Sequence, residues 1–119
     1  MRRDPKAYLW DAREDIDAIG AFTRGKTEED FRQDLMLRSA VERQFEIVGE
    51  ALSQLARRDQ SLANQIPDLS DFVGFRNILI HGYAIVESDR VWRAIHESLP
   101  ALRKAVDRLL GDGLPSGGA

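Results

Sequence analysis

The strongest constraint on the fold is a run of apolar residues between Leu37 and Leu55 that recurs every three or four positions. Val41, Phe45, Val48, Leu52 and Leu55 follow one another at spacings of 4, 3, 4 and 3, and Leu37, Ala40, Ile47 and Ala51 form a second stripe beside them. An α-helix gathers such positions on one side, because its turn returns i, i+3, i+4 and i+7 to the same face. Together the two stripes cover roughly half of the circumference, more than one neighbouring helix needs. The arc predicts a core face plus a face for a second copy of the chain. Glu42, Arg43, Glu46, Gly49 and Glu50 fall on the opposite side, where a solvated face accounts for them.

The same period runs through the rest of the chain, and no segment alternates as a half-buried strand does. Asp4 is an N-cap residue with Pro5 at the favoured first helical position; the stripe Leu9, Ala12, Ile16, Ile19, Phe22 follows, and Gly25 ends the helix. Thr27 caps the long second helix, with Glu28, Glu29 and Asp30 in the first turn, where the helix dipole favours negative charge. A polar loop spans Arg57 to Pro67, Asp71 caps a third helix from Phe72, and Ser88 or Asp89 opens the last segment. There the stripe Trp92, Ile95, Leu99, Leu102, Val106, Leu109 keeps its phase through Pro100, so a kink is expected rather than a break. The expected fold is all-α: an antiparallel bundle of four to five helices with one long helix and a kinked C-terminal helix, dimeric. Residues 1–110 form one domain, and the glycine-rich stretch 111–119 is a disordered tail.

Composition narrows the function. With no cysteine among 119 residues, disulfides and thiolate metal sites are impossible, which fits a reducing cytoplasm. The basic start Met1-Arg2-Arg3 leads into Asp4-Pro5-Lys6 rather than an apolar run, so neither a signal peptide nor a membrane span is expected. A formal net charge of −3 argues against broad neutralisation of a nucleic-acid backbone, so any RNA contact must be local.

Phosphate loops, metal-ligand clusters and nucleophile elbows are missing from the sequence. His96 lies mid-helix without a patterned partner and reads as a rim histidine. His81 differs because Arg76, Asn77 and Tyr83 accompany it within the apolar stretch Phe72, Val73, Phe75, Ile78, Leu79, Ile80. A permanent charge in such a segment is costly unless it is paired or faces a cleft. Two accounts fit: a buried network in which Arg76 pairs with Glu46 or Glu50, or a site.

Arg76-x4-His81-x-Tyr83, with Asn77 directly after the arginine, resembles the Arg-x4–6-His motif of the HEPN (higher eukaryotes and prokaryotes nucleotide-binding) superfamily, and the His-x-Tyr extension resembles its HepT-like toxin branch. Val41-Glu42-Arg43, the run Glu46-Ile47-Val48-Gly49-Glu50-Ala51, Ile66-Pro67, Val91-Trp92 and Leu99-Pro100-Ala101-Leu102 are similar to that branch too. Asp68 departs from it, standing where many relatives have an aromatic residue; this bears on packing.

The resemblance implies a metal-independent endoribonuclease without a cofactor, the toxin of a toxin–antitoxin pair whose partner is a minimal nucleotidyltransferase. It implies a homodimer with both motifs facing one cleft, Arg76 and His81 catalytic, Asn77 positioning the substrate, and Tyr83 receiving AMP from the partner. Arg43, Glu46 and Glu50 are possible supporting residues. The competing reading is a non-catalytic helical subunit that binds nucleotide or substrate for a nucleotidyltransferase; an intact Arg–His pair favours the nuclease. On an ideal helix His81 lies about 140° from Arg76. Either the helix breaks near Ile80, or two copies of the motif complete one site.

Overall fold

The computed structural model of the chain describes residues 3–81 and 87–111, and every described element is helical. Helix α1 (Pro5–Thr23) begins as its sequence dictates: the Asp4 carboxylate accepts from the Lys6 backbone N–H at 2.9 Å, and Pro5 follows. Gly25 turns the chain at φ 76°, a left-handed conformation that glycine adopts without steric cost. Leu9, Ala12, Ile16 and Ile19 are buried, but Phe22 at the helix end is 39% exposed and drops out of the expected stripe.

The helix expected from Thr27 onward is two helices. Thr27 and Asp30 form a reciprocal capping box at the start of α2 (Glu28–Gln33), with the Asp30 N–H on Thr27 Oγ1 at 3.0 Å and the Thr27 N–H on Asp30 Oδ2 at 2.9 Å. The chain then breaks at Asp34, whose carboxylate accepts from the Leu37 N–H at 3.0 Å and caps α3 (Leu35–Arg58). The break turns the buried Phe31 of α2 onto Trp92, their ring centroids 5.4 Å apart. An Asp side chain competes with the helical backbone for its donors, which is why a helix restarts there.

Helix α3 is the axis of the core. Val41, Phe45, Val48, Leu52 and Leu55 are all buried, each large side chain worth about 1.5–3 kcal/mol relative to exposure. Its broad arc is covered from within the chain, by α1 on one flank and α5 (Leu69–His81) on the other. Leu37 packs partly buried against the core and Ala51 is buried. The width of the arc thus has an intramolecular account. The stretch expected as a loop holds the short helix α4 (Gln60–Ala63), capped by Asp59 accepting from the Leu62 N–H at 3.0 Å. Helix α5 starts three residues before the expected Phe72, after Asp68 in a left-handed conformation (φ 60°), so Asp71 lies inside its first turn rather than at its cap.

The last segment is one continuous path: α6 (Ser88–Arg93), a π-helical turn (Ala94–Ser98) and α7 (Leu99–Leu110). The wider turn sits directly before Pro100, whose missing N–H and bulky ring an α-helical turn would not accommodate. Ile95, Leu99, Leu102 and Val106 stay buried through it, as their phase predicts. Gly111, in the left-handed region at φ 79°, ends α7 with its N–H on the Arg108 carbonyl at 3.2 Å. Residues 112–119, expected as a tail, lie outside the described residues. Arg103 meets Asp17 at 2.8 Å and Arg13 meets Asp107 at 3.2 Å, pairs that run in opposite order and set α7 antiparallel to α1. None of the described helices is long and apolar enough to cross a membrane.

Candidate active site

Helix α5 crosses α3 at Gly49, and this crossing builds the site. Phe75 packs edge-on against Phe45, centroids 5.3 Å apart at 82°. At the next turn of α3 the α5 backbone comes so near that a methyl group on Gly49 would stand 2.4 Å from Arg76 Cβ and 3.0 Å from the Phe72 carbonyl oxygen. No side chain fits there, so the glycine that looks misplaced in a long helix is what brings Arg76 against α3.

Once there, Arg76 is held at both ends of its guanidinium. Nη2 meets Glu50 Oε1 at 2.9 Å, and Nη1 donates to Asn77 Oδ1 at 2.8 Å. The other Glu50 oxygen accepts from Gln54 Nε2 at 2.9 Å. Gln54, Glu50, Arg76 and Asn77 form one hydrogen-bonded chain along the rim of the α3–α5 crossing. Each link narrows the angle the guanidinium can take, and the bonds to charged groups are the stronger kind. An arginine carries five N–H donors, and these two contacts, among the described residues, engage two of them.

Of the two acids expected as counter-ions for Arg76, Glu50 is the one engaged. Glu46 instead pairs with Arg43 at 3.0 Å, one turn earlier on α3. The face expected to be solvated is therefore mixed. Arg43 is exposed, Glu42 and Glu46 are half-buried, Gly49 is buried, and Glu50 holds the arginine. Gly49 and Gln54 were absent from the sequence-based set of site residues. The signal for Gly49 was its cost, since a glycine inside a helix gives up about 1 kcal/mol relative to alanine unless something needs the space. Gln54 carried no comparable mark.

His81 is exposed at the end of α5, and the helix is continuous from Arg76 to it, so the first of the two alternatives, a break near Ile80, does not occur. Five residues of helix separate the two by about 7.5 Å along the axis and 140° around it. Arg76 therefore faces α3 while His81 projects from another side of the same rod. Tyr83, with Gly82, lies outside the described residues. His96 is exposed, its ring on the Trp92 indole with centroids 4.4 Å apart and its Nδ1 3.0 Å from the Trp92 carbonyl oxygen, which ties it to α6 and away from the motif. Among the described residues no group of three or more His, Asp or Glu side chains is placed to hold a metal ion.

Asp15 lines a cleft with Arg3, Asp11 and Glu14 that also takes in Glu50 and Gln54 of the hydrogen-bonded chain holding Arg76. Burial, then the neighbouring charges of Asp11 and Glu14, push its carboxyl up to about 6, with Arg43 opposing.

Residues 12–109 match the family described as "Ribonuclease HepT-like". A protein of Thermococcus cleftensis named "Probable ribonuclease HepT" is 35% identical over 109 residues, covering 92% of this chain and 98% of its own. "Putative RNase MJ1380" of Methanocaldococcus jannaschii is 33% identical over 106 residues, covering 89% and 96%. A third relative, "Gamma-glutamylcyclotransferase and putative RNase MJ0434" of the same organism, is 34% identical over 110 residues, and the chain spans 49% of its length. No solved structure matches the chain. With the family match covering most of its length and a relative 35% identical along nearly the whole of both chains, the chain belongs to the HepT-like ribonuclease family of the HEPN superfamily.

Proposed function

We propose that the chain is an endoribonuclease that cuts RNA by metal-independent transesterification, and that it is the toxin of a pair whose antitoxin is a minimal nucleotidyltransferase. The observation that carries this reading is the Arg76 guanidinium, fixed between Glu50 and Asn77, on the helix that ends in the exposed His81. Family membership supports the substrate class.

The chemistry asks for few groups. An RNA 2′-hydroxyl attacks the adjacent phosphorus and loses its proton to a base. The bond from phosphorus to the 5′-oxygen breaks, and that oxygen takes a proton from an acid, leaving a 2′,3′-cyclic phosphate and a 5′-hydroxyl. Imidazole moves protons in either direction near neutral pH, and the guanidinium offers fixed donors to the phosphorane as its charge grows. Preorganisation is the contribution of Glu50 and Asn77, which hold the arginine before substrate arrives.

Because Arg76 and His81 leave one straight helix in different directions, this reading uses two copies of the chain. A homodimer with the two α5 ends facing one cleft brings the arginine of one copy to the histidine of the other. The exposed Ile80, beside His81, gives such a contact an apolar element. Control acts at Tyr83: its phenolic oxygen attacks the α-phosphorus of ATP held by the partner, pyrophosphate leaves, and the added phosphate competes for the donors of Arg76.

The Glu50 pair also favours a second reading, in which Arg76 is a structural cation and the chain only binds substrate for a partner enzyme. One experiment separates the two. Purified protein is incubated with total RNA and tRNA in EDTA, and the ends are analysed. Cyclic phosphate and 5′-hydroxyl termini from the parent, and intact RNA with His81→Ala at unchanged helicity, are expected. Equal cleavage by His81→Ala would hand the case to the binding reading.

A further inference from the structure

A cavity of about 270 Å³ opens on the flank of α5 at Phe72 and Phe75, between that helix and the π-helical turn. Its floor is aromatic: Phe45, Phe72 and Phe75 line it, and all three are otherwise buried. Phe75 meets Phe45 edge-on, and the Arg90 guanidinium lies over its ring at 5.4 Å from the centroid. The rim is charged in both signs. Arg93 and Glu97 line it from the α6 side and Asp71, whose backbone N–H donates to the Asp68 carbonyl at 3.0 Å, from the α5 side; all three are exposed. Two backbone irregularities border the same cavity: the π turn that contributes Ala94, Glu97 and Ser98, and Asp68 in its left-handed conformation. Both cost energy, and such features gather at binding sites.

We propose that this cavity is a nucleobase subsite for the RNA strand whose phosphate Arg76 holds, and that it selects guanine. The inference rests on the nuclease reading for its substrate and extends it by naming the base. An aromatic floor alone suits any planar apolar group, but the charged rim narrows the choice. A base stacked on Phe75 places a π-face where Arg90 now lies, and the guanidinium is free to swing onto the base's outer face. Carboxylates are acceptor-only, so Asp71 and Glu97 call for an edge that presents donors. Guanine presents two adjacent ones, the N1–H and the 2-amino group, to a single carboxylate. Adenine and cytosine offer one amino group each and uracil one imino N–H. Arg93 supplies the complementary donors, suited to the O6 and N7 acceptors of the same base. Phe75 directly precedes Arg76, whereas His81 lies further along α5 on another face, so the base bound here flanks the cut rather than carrying it.

The test has two arms. A randomised-sequence RNA is cleaved by the parent and by the Asp71→Asn/Glu97→Gln double variant, and the ends are sequenced; both positions are exposed, so the core is untouched. The parent is expected to show guanine enriched at one fixed offset from the cut, and the variant to lose that enrichment. In parallel, guanosine and uridine monophosphates are titrated against both proteins. The parent is expected to bind the guanine nucleotide at least tenfold more tightly, and the variant to bind both alike. Identical end profiles, or equal binding of the two nucleotides by the parent, overturn the subsite. If no RNA is cut, the nuclease reading falls, and the titration alone decides whether the cavity takes guanine.

Discussion

Gly49→Ala isolates the helix crossing from the chemistry it supports. The added methyl would lie 2.4 Å from Arg76 Cβ, 3.1 Å from Arg76 Cγ and 3.0 Å from the Phe72 carbonyl. Carbon atoms rest about 3.5–4.0 Å apart, so α5 must retreat from α3 by roughly 1 Å or more. Overpacking of this kind costs about 1–3 kcal/mol. Alanine returns about 1 kcal/mol of helix propensity, leaving a net loss of about 0–2 kcal/mol. The thermal midpoint should therefore fall by no more than about 10 °C. Activity should fall much further, because the retreat carries the guanidinium away from Glu50, and a misplacement of about 1 Å in a positioned group can cost about 100-fold. Gly74→Ala is the control. It lies on the same helix, a methyl there meets nothing within 4 Å, and it should stabilise by about 1 kcal/mol with cleavage unchanged. The measurements are a calorimetric melt and cleavage of a defined RNA at a temperature where all three proteins are folded. If Gly49→Ala cleaves as fast as the parent, the close crossing does not set Arg76, and the argument for a preorganised arginine fails.

Three more outcomes are expected. Mixing Arg76→Ala with His81→Ala, each inactive alone, should restore cleavage, since a mixed dimer keeps one site with both residues; continued inactivity of refolded mixtures whose mixed dimers are verified by mass would exclude the cross-dimer site. Tyr83→Phe should retain most cleavage yet escape the partner: intact mass after incubation with partner and ATP should show added AMP on the parent and none on the variant. Asp15→Asn should stabilise the protein at pH 7.5 and match the parent at pH 4. The sign follows from a folded-state value pushed up to about 6: the folded protein holds the Asp15 proton more tightly than the unfolded chain, so that contribution is complete below the ordinary carboxylate range and is lost as pH rises through about 6. Thermal midpoints at the two pH values check it.

What the sequence reveals here depends on how far apart the partners are. The caps at Asp4 and Thr27 and the stop at Gly25 are contacts within a few residues, and the buried stripe of α3 needs only the helical period, so both are legible; Gly111, expected in the tail, is instead the cap of α7. Asp34 is equally local, yet the run from Thr27 already has a cap and the apolar period overshadows a second one. The choice between Glu46 and Glu50 was a different matter. Both are on α3 four residues apart, and only the crossing point decides which one reaches Arg76.

That crossing point is fixed by the residue that contributes no side chain. Periodicity ranks positions by what they bury, so it counts Gly49 as neutral and assigns it to whichever face surrounds it, here the charged one. In the fold the absence of a methyl lets α5 approach, the approach selects Glu50, and Glu50 together with Asn77 aims the guanidinium. The motif supplies the arginine and the histidine, and the glycine on the neighbouring helix determines where the arginine stands. A member of this family with Arg and His intact but a larger residue at this position should therefore carry the motif without the clamp.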